Sequence, residues 1–123
     1  TFFATLGDHD DDHTNSIAIL VKHISGNFRS RWTDFLTTDG EKPDRNRPSE
    51  FVDEGNERAV LMQRWEEAWV IAFGALQALE EEDFEKTITI RGESLPVIQA
   101  IHRNLLHAAH HIGQMDLLAT ALR

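Results

Sequence analysis

Apolar residues recur at steps of three and four along three stretches of the chain. Ile17, Leu20, Val21, Ile24, Phe28, Trp32 and Phe35 mark one face of a long first helix, and either Thr14 or Asn15 suits its N-cap. Leu61, Trp65, Ala68, Trp69, Ala72, Leu76 and Leu79 form the stripe of a second helix over residues 54–79. Val97, Ile101, Leu105, Ala108, Ile112, Met115, Ala119 and Leu122 form that of a third, for which Ser94 fits as N-cap with Pro96 in the first turn. The period changes to two at KTITI (86–90), so this segment and Ser94-Leu95 predict a small hairpin turning at Arg91-Gly92-Glu93.

Between these elements the pattern breaks. Residues 37–51 combine Gly40, Pro43 and Pro48 with dense charge and read as a surface loop. Glu80 to Asp83 oppose the dipole at a helix C-terminus and read as a solvated stop. Residues 1–13 run from an apolar patch into the acidic HDDDH tract and read as a terminal arm, leaving 14–123 as one helical domain. Wide apolar faces on three helices leave a groove where a fourth would lie. A second copy of the chain is the expected cover, with Phe2 and Phe3 as candidate anchors, so a homodimer is expected. The chain begins at Thr1 rather than Met and ends while a helical pattern still runs, so residues missing at both ends are an expectation too.

Composition narrows the function. The 123 residues hold 12 Lys and Arg against 21 Asp and Glu, a net charge of −9 that disfavours nucleic acid and anionic membrane surfaces. No apolar run has the ~18 to 20 residues needed to span a bilayer, and no secretory signal opens the chain. The lack of cysteine excludes disulfides, thiolate nucleophiles and Cys-rich zinc sites, and fits a reducing, cytoplasmic setting. Phosphate-binding glycine loops, GxSxG and HExxH are all missing.

Any metal must therefore rest on histidine and carboxylate, and the histidines are many, seven in all. His107 and His111 stand four apart on one face of the third helix, where two imidazoles can share a metal. His23 flanks the first helix's stripe by a similar angle, and three imidazoles from two helices leave coordination positions open. The spacing also allows a hydrogen-bonded polar layer without metal. Asn104 and Gln114 share the same edge, His110 points elsewhere, and Gly113 permits a close backbone approach. His9 and His13 in HDDDH offer a second metal site, or simply a solvated arm. Phe28, Trp32, Trp65 and Trp69 are read as core before pocket wall, and Arg29, Arg31, Lys42, Arg45 and Arg47 as a mixed surface neutralised by Asp34, Asp39, Glu41 and Asp44.

Three stretches together resemble the DinB-like helical bundle superfamily: NSIAILVKHISGNFRSRWTDFLTTDGEK around His23, TITIRGESLPVIQAI at the hairpin, and HAAHHIGQMDLLA around His107 and His111. The chain is most similar to a bacterial branch of uncharacterised members sharing SRWTDFLTTDGEK. The resemblance implies an all-α antiparallel four-helix bundle, with three long helices and the hairpin supplied here. It further implies a divalent metal, commonly zinc or nickel, on His23, His107 and His111. The family's first helix should precede the His23 segment, and residues 1–13 are too short and acidic to supply it. For activity the resemblance implies a thiol-dependent S-transferase taking a low-molecular-weight thiol cosubstrate, with Asn104 and Gln114 contacting the ligands or the substrate. The alternative is a non-catalytic metal-binding or assembly module. Metal-assisted hydrolysis ranks last, because no carboxylate of the third helix lies on the ligand face.

Overall fold

A computed structural model of the chain describes residues 1–7 and 15–123, so His9 and His13 lie outside the described residues. Three long helices carry the structure: α1 (Ile17–Trp32), α2 (Arg58–Gln77) and α3 (Val97–Ala121). An antiparallel hairpin of β1 (Thr87–Ile90) and β2 (Glu93–Pro96) precedes α3. A fourth bundle helix is not found among the described residues, and no described helix is long and apolar enough to cross a membrane.

Helix α1 is the central element, packed along α2 and over a shorter stretch against α3. Ile24, Phe28 and Trp32 of α1 meet Ala68 and Ala72 of α2, Ile88 and Ile90 of the hairpin, and Val97, Ala100, Ile101 and Ala108 of α3 in one buried cluster. A smaller cluster joins Ala18, Val21 and Leu61, with Phe2 packed against it. Phe2 thus lies along its own chain, where its carbonyl accepts the Ala18 N–H at 2.9 Å, while Phe3 stays exposed. Phe28, Trp32 and Trp69 serve the core, as their spacing suggests.

The element ends differ from the sequence expectations for local reasons. Ser16, rather than Asn15, caps α1 through its Oγ on the Ile19 N–H at 3.1 Å. The helix stops at Trp32 instead of Phe35, because Asp34 turns into the left-handed region at φ 47°. Helix α2 begins at Arg58 instead of residue 54, since Lys22 of α1 draws the preceding segment away. Its ammonium donates to the carbonyls of Ser49 and Val52 and to Glu54, each at 2.8 Å. The acidic run is more than a solvated stop. Glu80 and Asp83 cap each other around a short 3-10 turn over residues 81–85, and Asp83 is buried with Lys86 as its ion-pair partner. Ser94 sits in β2 and does not cap α3. Pro96 holds the cap position, and the Val97 N–H bonds to the Lys86 carbonyl instead.

The hairpin turns on Arg91 and Gly92, both at positive φ, 55° and 79°. Asp39 fastens this turn to the loop after α1: its carboxylate accepts the backbone N–H groups of Glu41 at 2.7 Å and of Arg91 and Gly92 at 2.8 Å each. Those three donors hold the Asp39 carboxyl well below the usual carboxylate range. The clip brings Gly40 against β1, where its N–H bonds to Thr89. One wall of the site described next is set by this arrangement.

Candidate metal centre

His23 sits on the face of α1 that meets α3, and the pitch of α3 stacks His107 and His111 one turn apart opposite it. The three side chains converge. Nε2 of His107 lies 3.1 Å from Nε2 of His23 and 3.1 Å from Nε2 of His111, and one nitrogen from each ring falls within 4.8 Å of the others. Metal–nitrogen bonds of ~2.0 to 2.1 Å in a tetrahedron place ligand nitrogens roughly 3.3 Å apart, close to the two separations that involve His107.

The outer nitrogens fix which lone pairs face inward. His23 donates Nδ1–H to Glu50 Oε1 at 2.9 Å, and His111 donates Nδ1–H to Gln114 Oε1 at 2.7 Å. A neutral imidazole has one N–H, so both rings present bare Nε2 lone pairs to His107. His107 can offer a single proton in return and leaves one nitrogen facing it unsatisfied. Protonating His107 is no remedy: burial, followed by the neighbouring charges of His111, His23, Arg31 and Arg45, pushes it down to about 4. His111 is lowered as well, chiefly by burial and against its hydrogen bond to Gln114. In their neutral form the three rings converge their lone pairs, which is the donor set a divalent cation requires.

Two residues that sequence reasoning missed hold the first ring in place. Glu50, on a 3-10 turn at Pro48–Phe51, is buried beneath α1 and gripped by Arg45, whose Nε and second guanidinium nitrogen each donate to it at 2.9 Å. Burial alone would raise the Glu50 carboxyl, but Arg45 and His23 outweigh it and keep it below its ordinary value. The carboxylate approaches α1 at Gly26, where any Cβ would collide with it. A glycine three residues after His23, in the middle of a helix, was the sequence signal for this contact.

The remaining candidates separate. Asn104 is buried one turn before His107, accepting from Trp32 Nε1 and donating to Asn27 Oδ1, both at 2.9 Å. Gln114 orients His111, and His110 is exposed. Gly113 faces open space, so the close approach expected there does not occur. The cationic cluster is not one mixed surface. Arg31 and Arg47 line a cavity of about 190 Å³ beside His23 and His107, Arg29 and Lys42 line a larger groove between α1 and α2, and Arg45 borders both.

A helical domain with a three-histidine cluster able to bind a metal ion is thus the class that fold and site define. The chain belongs to the family described as protein of unknown function DUF1572, whose profile matches residues 4–123. No curated protein matches the chain, and no solved structure does.

Proposed function

We propose that the protein is a divalent-metal-binding helical bundle of the DinB-like type, with zinc or nickel on His23, His107 and His111 and a coordination position left for substrate. The observation carrying this reading is the convergence of three Nε2 atoms, two of them bare because Glu50 and Gln114 hold the protons on the far side of the rings. A cation held by His23, His107 and His111 would supply the Lewis acidity that makes a low-molecular-weight thiol a nucleophile, the chemistry of a thiol-dependent S-transferase. The chain's own part is to hold three neutral imidazoles in register and to keep a wall of cationic side chains beside them. Hydrolysis is disfavoured, because Glu50, the carboxylate against the cluster, has both oxygens tied to Arg45 and is no free base.

A homodimer belongs to the same reading. It is supported by large apolar side chains left in solvent on α2 and α3, among them Val70 at 70%, Leu106 at 73% and Leu117 at 64% exposed. Zinc and nickel loading followed by elemental analysis tests the metal. A conjugation screen with low-molecular-weight thiols and a chromogenic electrophile then tests the transferase reading against a non-catalytic metal-binding module, which would load metal and conjugate nothing.

A further inference from the structure

The cavity beside the histidines has a charge out of keeping with the rest of the molecule. In a chain of net charge −9, it is lined by Arg31, Arg45, Arg47, Arg91 and Arg103, and among the described residues no Asp or Glu lines it. Glu41 and Glu50 stand behind the wall and pair with three of the five: Arg31 and Arg91 with Glu41, and Arg45 with both. Arg47 and Arg103 have no carboxylate partner among the described residues, Arg47 merely resting over the Phe51 ring at 5.2 Å. Two acids against five guanidiniums leave an excess of positive charge around a space bounded also by His23 and His107.

The geometry points to an oxyanion site: we infer that this cavity takes the carboxylate or phosphate group of a small substrate and sets the rest of that molecule against the histidine cluster. Its catalytic meaning rests on reading that cluster as a metal centre. Guanidinium forks match planar carboxylates and phosphates, which supplies the recognition chemistry. Beside the apolar Trp32, Phe35, Ile88, Ile90 and Ala100, the lining adds Asn27 and Asn104, and the Asn27 amide nitrogen donates to no group among the described residues. Size limits the ligand. About 190 Å³ is the share of some six waters at ~30 Å³ each, enough for a small acid or the anionic end of a larger molecule.

Calorimetric titration of sodium succinate and of inorganic phosphate into metal-free and zinc-loaded protein tests this. Saturable binding of either anion to metal-free protein is expected, weakened at least about tenfold by Arg103→Gln and by Arg47→Gln. Arg64→Gln, on α2 and outside this cavity, should leave it unchanged. Succinate binding alone would mark a carboxylate site, phosphate binding alone a phosphate site. The inference is overturned if neither anion binds, if both arginine variants bind like the wild type, or if binding needs zinc and ignores the arginines. Zinc stoichiometry measured on the same samples reports on the metal centre separately, so either reading can fail alone.

Discussion

His23 and Glu50 are joined by a hydrogen bond of 2.9 Å between a buried imidazole and a buried carboxylate, and this bond decides which nitrogen of His23 faces α3. Partners of this kind set ligand tautomer and orientation, and losing one typically weakens metal binding ~10- to 100-fold. Glu50→Gln should therefore lower zinc affinity by about that factor in competition with a chromophoric chelator. Arg45 would also lose its main buried counter-charge, at a cost of ~3 kcal/mol, read in chemical denaturation. Unchanged affinity in a folded variant would mean that Glu50 only supports the fold.

Gly26→Ala separates helix propensity from site geometry. Alanine should stabilise an exposed helix interior by up to ~1 kcal/mol relative to glycine. Here the new Cβ meets the Glu50 carboxylate, so the expected result is a lower melting temperature together with weakened zinc binding. A variant that melts higher and binds zinc normally would contradict the close approach.

The Asp39 clip predicts an acid-sensitive hairpin. Its carboxyl is held below the ordinary value by backbone N–H donors of Glu41, Gly92 and Arg91. A group with a depressed folded pKa gives stability that is complete above its unfolded value, ~3.9, and is lost as pH falls toward the folded one. Asp39→Asn should thus melt well below the wild type at pH 6, with the difference shrinking at pH 3. A difference independent of pH would refute the charge argument.

The helices were legible because their burial follows the 3.6-residue period, and His23, His107 and His111 were legible because ligands on one face must share that period. Two positions of the α3 stripe did not follow it. Leu105 and Ile112 are 52% and 41% exposed, because the buried line of α3 runs beside them, through Ala100, Ile101, Asn104, Ala108 and Leu118. Glu50 and Arg45 were hidden in a charged loop, where a residue pairing across 27 positions leaves no periodic trace. The cationic wall was hidden for a related reason. Acids interspersed in sequence neutralise the cluster on paper, while in the fold Asp34 and Asp44 line the neighbouring groove with Arg29, and Arg31 and Arg47 line the cavity beside His23.

The proposed homodimer is tested at the exposed faces of α2 and α3. Light scattering at micromolar concentration should give twice the chain mass of 14.0 kDa, and Leu106→Glu or Leu117→Glu should shift it toward the monomer. A cooperatively folding wild-type monomer would refute the dimer.

The metal centre is tested most directly by elemental analysis of protein loaded with zinc and desalted, compared with His23→Ala, His107→Ala and His110→Ala. The account predicts one zinc per wild-type chain, one in the His110 variant and none in the other two, because His110 is exposed and points away from the converging nitrogens. Wild-type protein that retains no zinc or nickel, or equal loss in all three variants, would contradict it.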